Sequence, residues 1–256
     1  MIEGIDSNGT YYNYNKKKDV PIIFIHGVGL NNKIWEPQID SFENSVVTYD
    51  ILGHGKTPLK LPKISFNDLS LQLLNLIDEL KIDKVHLIGF SIGSLIARNF
   101  AVNYNHRLQT LTLLCSIFKR NNEQQQIVKD RFELSKKSRT LSKQALKRWF
   151  SDKYIKNNKY IYDHITSILN ANNMENFLKI YELFVNHQDD EKFENINTKT
   201  LIMTGEFDIG STPKMSEDLS KCIKNSKVKI IKNGKHLCSI ECVDDVNNAI
   251  KEHIKI

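Results

Sequence analysis

Six short runs dominated by β-branched and other apolar residues, at 21–26, 45–50, 85–89, 108–115, 200–204 and 227–231, recur along the chain. Runs of this kind are the pattern of strands buried on both faces of a mostly parallel sheet. Helical spacing fills the intervals between them. Leu and Ile repeat at three and four residues through 66–80, and a helix is expected over 94–104, directly after a Gly-Phe-Ser-Ile-Gly turn. The alternation predicts an α/β fold built on a mostly parallel, doubly wound sheet.

That regularity stops between residues 119 and 197. No strand pattern occurs there, and four amphipathic helices can be drawn. Their apolar faces fall at Ile127, Phe132 and Leu134, at Leu146, Trp149 and Phe150, at Ile161, Ile165 and Leu169, and at Phe177, Ile180, Tyr181 and Phe184. Residues 1–118 and 198–256 are therefore expected to form the core, with 119–197 inserted as a helical cap. No repeat or low-complexity linker separates the two, so the cap should pack as a lid rather than swing as an independent domain. A length of 256 residues with 40% hydrophobic content suits one domain with an insertion.

Charge and cysteine usage narrow the partners. The net charge of +6 comes almost wholly from lysines scattered among Asn and Ile, the residues of AT-rich codons. With no basic stripe or stacking motif beside them, nucleic acid is not an expected partner. No stretch approaches the length of a membrane span, and the opening MIEGIDSNGTYYNYNKKKD has no apolar run of a secretory signal. Cys115, Cys222, Cys238 and Cys242 are too few and too clustered to staple a fold of this size. His236, Cys238 and Cys242 match no zinc spacing, so no metal is expected. The expectation is a soluble cytoplasmic protein acting on a small molecule, its oligomeric state left open.

Gly89-Phe90-Ser91-Ile92-Gly93 follows an expected strand and precedes an expected helix, the context of a nucleophile elbow. The backbone at such a serine is strained, and glycines two residues to either side let strand and helix approach closely. A serine hydroxyl is a weak nucleophile at neutral pH, so the chemistry demands a histidine base and an acid to orient it, later in the chain. Asp208 lies in the loop just past the 200–204 strand, where that acid is expected; Glu206, at the strand's very end, is its nearest rival. His236 follows the last strand in a glycine-containing loop and is the expected base. His26, His54, His86, His106, His164 and His187 are expected to be surface or satisfied core residues, and His253 a cation favouring the end of a terminal helix. Backbone N–H groups of Val28, in His26-Gly27-Val28-Gly29, and of Ile92 are the expected donors to a tetrahedral oxyanion. That turn lacks the third glycine of a dinucleotide-binding fingerprint. Asp50 and His54, early in the chain in a glycine-rich turn, are expected to be structural.

HGVGLNNKIW, YDILGHGKT, GFSIGS, TGEFDIGSTPKM and KHLCSIE stand in the order of the α/β-hydrolase superfamily, which the chain resembles over nearly its whole length. The stretch KRWFSDKY is similar to the arginine-tryptophan-phenylalanine element of the 3-oxoadipate enol-lactonase-like branch. The resemblance implies hydrolysis of a carboxylic ester or lactone through a Ser91 acyl-enzyme, with water attacking second and no metal or organic cofactor. It also implies that Trp149 lines the pocket, although a tryptophan on an amphipathic helix also serves simply as packing. An enol-lactone carries a carboxylate, for which Arg120, Arg131, Arg139 and Arg148 are the candidates. Ile92 and Ser94 stand where relatives commonly have methionine and a second glycine. Carbon–carbon bond hydrolysis, acyl transfer and amide-like hydrolysis would use the same machinery, and a slow ligand receptor could be built on the same fold.

Overall fold

Alternation within each strand decides which side of the sheet its residues bury. The computed structural model describes residues 1–17, 19–137 and 141–255, with side chains in the last stretch from residue 143 onward. In β3 (Ile22–Ile25), Ile23 and Ile25 join one hydrophobic cluster while Ile22 and Phe24 join the other. β4 (Val46–Tyr49) divides Val47 and Tyr49 from Val46, and β5 (Val85–Phe90) divides Val85 and Leu87 from Ile88 and Phe90. The first face is covered by α2 (Phe66–Glu79), α3 (Ile92–Tyr104) and α9 (Pro213–Ser220), through residues such as Leu73, Phe100 and Leu219. The second is covered by α1 (Glu36–Ile39), α10 (Cys238–Glu241) and α11 (Val243–Ile254), with Trp35, Val246 and Ile250. α2 starts where it does because Ser65 and Asp68 close a reciprocal capping box.

The eight strands run in the order β1-β2-β4-β3-β5-β6-β7-β8, with β1 (Ile2–Ile5), β2 (Tyr11–Asn15), β6 (Leu108–Leu114), β7 (Thr200–Gly205) and β8 (Ser226–Ile231). The six strands expected from the apolar runs form the parallel part, β4 through β8. β1 and β2 add an antiparallel edge that the sequence pattern does not reveal. β2 reads Tyr-Tyr-Asn-Tyr-Asn, with no apolar run to mark it. From β3 the chain goes out to β4 and returns to β5 on β3's other side, so the strand order reverses there. Crevices at the carboxyl ends of such a switch point are where open α/β sheets bind ligands.

Among the described residues, five α-helices lie between β6 and β7 where four were expected: α4 (Asn122–Lys137), α5 (Leu141–Trp149), α6 (Asp152–Asn157), α7 (Lys159–Asn170) and α8 (Met174–Val185). The additional α6 is a short helix whose N-terminus Ser151 caps. The expected apolar face of α4 also needs correction. Val128 and Phe132 are buried, whereas Ile127 is 41% and Leu134 51% exposed. α3 begins at Ile92, two residues before the expected start, because the elbow turn and the first helical turn share residues. His253 is no helix-end cation either. It is buried with Nε2 3.0 Å from the Leu111 carbonyl, and burial lowers it to about 4. Among the described residues no helix is long and apolar enough to cross a membrane.

Candidate active site

β5 ends at Phe90, and the chain turns through Ser91 at φ 55° and ψ −119° before α3 begins. A non-glycine residue in that region is strained, and something around it must hold it. The Ser91 N–H donates to the Leu114 carbonyl (2.9 Å), and its own carbonyl accepts from Ser94 N (2.9 Å) and Ser94 Oγ (2.5 Å). The flanking glycines permit the crossing. A Cβ at Gly89 would stand 2.1 Å from the Gly93 carbonyl oxygen, and one at Gly93 would stand 2.4 Å from that of Ile25.

Asp208 and His236 arrive from the loops after β7 and β8, at the same carboxyl edge. His236 Nδ1 lies 2.6 Å from Asp208 Oδ2. The second oxygen, Oδ1, accepts from the Gly210 (2.8 Å) and Ser211 (3.1 Å) amides. Burial opposes both charges, but each partner's charge outweighs it: the Asp208 carboxyl is held below its usual range and His236 is raised. Glu206, the rival acid, is exposed and accepts from the Asn233 amide instead. Cys115 Sγ is close enough to the pair to complete a metal-like cluster with Asp208 and His236. Burial pushes its thiol well up, however, and the Nδ1 of His236 is committed to Asp208. The arrangement suits moving a proton better than holding an ion.

Ser91, Asp208 and His236 line one cavity of about 310 Å³, and Val28 and Trp149 line it with them. Ile92 is the first residue of α3, so its N–H has no acceptor within the helix. Val28 sits in a turn closed by Leu30 N–H donating to the Gly27 carbonyl (3.2 Å). The turn is clamped on both sides of Gly29: its N–H donates to His54 Nε2 (2.8 Å), and its carbonyl accepts from Asn172 Nδ2 (2.7 Å), between α7 and α8. His54 serves as an acceptor because burial, with His26 beside it, lowers it to about 3; burial likewise lowers His26 to about 4. Asp50 braces the neighbouring loop through the amides of Asn32 and Lys56. Both expectations held open for Trp149 coexist: it lines the cavity, 6.1 Å from the His236 ring, and packs against the second core cluster.

The lining of the cavity is also basic. Arg120, Arg131 and Arg148 all line it, and among the described residues none is paired with a carboxylate. Burial lowers Arg120 to about 10 and also lowers Arg148, and Arg131 repels both. Arg139 lies outside the described residues. Asn172, and the amides of Gly210 and Ser211, carry no sequence signal for these roles. Phe177, Tyr181 and Phe184 read as a packing face in the sequence, and here that face looks into the cavity.

A sequence model described as the alpha/beta hydrolase fold matches residues 20–148. The chain is 26% identical over 253 residues to (E)-2-((N-methylformamido)methylene)succinate hydrolase of Acinetobacter baylyi, covering 96% of this chain and 95% of that protein. It is 25% identical over 222 residues to 3-oxoadipate enol-lactonase 1 of the same organism, covering 86% and 83%. The crystal structure of the enol-lactonase from Burkholderia xenovorans LB400 superposes with a TM-score of 0.89 at 19% identity over the whole of both chains.

Proposed function

The chain belongs to the alpha/beta hydrolase fold family, and from that premise we propose that it is a serine hydrolase cleaving a carboxylic ester or lactone of a small organic acid. One observation carries the reading: a strained Ser91 shares a cavity with a His236 whose Nδ1 is engaged by a buried Asp208 at 2.6 Å. In the first half-reaction Ser91 Oγ attacks the acyl carbon while His236 takes its proton, and the N–H groups of Val28 and Ile92 stabilise the oxyanion. His236 then protonates the leaving oxygen, giving the Ser91 acyl-enzyme. In the second half-reaction His236 takes a proton from water as it attacks the acyl carbon, and returns that proton to Ser91 Oγ as the Oγ–carbon bond breaks and the acid product leaves.

Arg120, Arg131 and Arg148 favour a substrate that carries a carboxylate in addition to the scissile bond. The names of the two Acinetobacter relatives, a succinate derivative and an oxoadipate lactone, agree with that preference. In this reading residues 119–197 form the cap, with Trp149 as part of its inner wall.

Short p-nitrophenyl esters test the chemistry. Wild type is expected to turn over and to yield a mass-detectable acyl adduct on Ser91, and Ser91→Ala to lose several orders of magnitude in kcat while remaining folded. Near-wild-type turnover in Ser91→Ala would overturn the nucleophile assignment.

A further inference from the structure

Where the chain leaves α8 and returns toward β7, alternate residues of an irregular stretch bring three metal-ligating side chains together. His187, Asp189 and Glu191 have ligand atoms all within 4.8 Å of one another. His187 Nε2 stands 3.4 Å from Asp189 Oδ1 and 3.6 Å from Glu191 Oε1. The side chains are 6%, 12% and 9% exposed, and His187 Nε2 has no hydrogen-bond partner. A buried ring nitrogen aimed at two carboxylates without bonding to either calls for an account.

Arg98 of α3 does not supply it. Its guanidinium bonds Asp189 Oδ1 (2.7 Å) and Glu191 Oε2 (2.6 Å) but brings one positive charge to two negative ones. Lys119 adds only its backbone N–H, to Asp189 Oδ2 (2.7 Å). Arg120 acts on Asp189 only from a distance, without an ion pair, so the second negative charge has no bonded counter-charge among the described residues, which is costly in a largely buried site unless a cation or proton meets it. The spacing distinguishes the two. A protonated His187 would close to a hydrogen bond of about 2.8 Å. A tetrahedral ion with bonds of about 2.0–2.2 Å instead separates its donors by about 3.3–3.6 Å, the separation of His187 Nε2 from both oxygens.

We propose that His187, Asp189 and Glu191 form a binding site for a divalent transition-metal ion of the zinc type, distinct from the cavity at Ser91. His187 Nε2, Asp189 Oδ1 and Glu191 Oε1 are the protein ligands, and water takes the fourth position. Arg98, bonded to Asp189 Oδ1 and to the non-ligating Glu191 Oε2, and the Lys119 amide, bonded to Asp189 Oδ2, hold the two carboxylates in place, as second partners of metal ligands do. Phe66, in edge contact with the His187 ring at 5.1 Å, fixes the imidazole. The ion would lock together three side chains of the segment returning from α8, which Arg98 ties to α3, and so stabilise the fold rather than take part in the reaction.

The test uses the full chain, stripped with a chelator and titrated with zinc chloride by calorimetry, beside His187→Gln. One equivalent is expected to bind wild type and raise its Tm. His187→Gln, folded by circular dichroism, should bind at least tenfold more weakly and lose the Tm shift. Zinc-soaked crystals are expected to give an anomalous peak between His187, Asp189 and Glu191. An absence of binding, equal binding by His187→Gln, or a peak only at Cys115, Asp208 and His236 would overturn the proposal.

Discussion

Ser91 stands in a backbone region that costs about 1–3 kcal/mol for a residue with a side chain, and the bonds to Leu114 and Ser94 hold it there. His236 is the residue whose protonation state should set the pH dependence. As the base it works only when neutral, and Asp208 raises its pKa above the ordinary imidazole value of 6.5. Activity should therefore rise with pH along a limb centred above 6.5, measurable as kcat/KM across a buffer series. Asp208→Asn should move that limb downward and cut kcat by about 10⁴-fold, the size found when a triad aspartate is made neutral; an unmoved limb would remove Asp208 from its role. Arg148 offers a third measurement at this scale. Losing a charge-assisted hydrogen bond is worth about 1.5–3 kcal/mol, so Arg148→Ala should lower kcat/KM roughly tenfold to hundredfold on an ester with a terminal carboxylate. An uncharged ester of the same length should be little affected, and an equal loss on both would point to a packing role.

Elements bring these residues together by approaching unusually closely. α3 crosses β3 and β5 with Gly93 against the Ile25 carbonyl and Gly89 against the Gly93 carbonyl. Because the obstacles are backbone atoms, no side chain can swing away. Gly93→Ala should therefore separate strand from helix and cost at least about 2 kcal/mol, at the upper end of overpacking effects, read as a lower denaturant midpoint together with loss of esterase activity. The connection between α7 and α8 touches the core by a different means. Asn172 reaches the Gly29 carbonyl while Leu169 and Phe177 pack against Gly29 itself. The orientation of the Val28 turn thus depends on helices that lie over a hundred residues further along the chain.

For the molecule as a whole, the segment after α8 is tied to the core by Arg98, a fully buried residue of α3. Arg98→Ala would leave two carboxylates unpaired in a buried site, and breaking such a pair costs about 3–5 kcal/mol. A lower Tm that is partly restored by acidifying the buffer is the expected outcome, because protons would replace the lost charge. A Tm equal to wild type would show that the clamp contributes nothing. Periodicity along the chain was enough to recognise the six parallel strands, since burial on a strand or helix is written in local spacing, while Ser91, Asp208 and His236 were singled out by a local motif and by their positions after those strands. The Tyr-Asn hairpin at the sheet edge escaped because its stability comes from pairing with β4 rather than from its own apolar content. Trp149 and the three arginines were candidates by resemblance alone, and the His187 cluster was readable only as residue types. Whether such a side chain lines a cavity, packs in a core or meets an ion is decided by how elements distant in sequence are set against one another, and only the tertiary structure contains that.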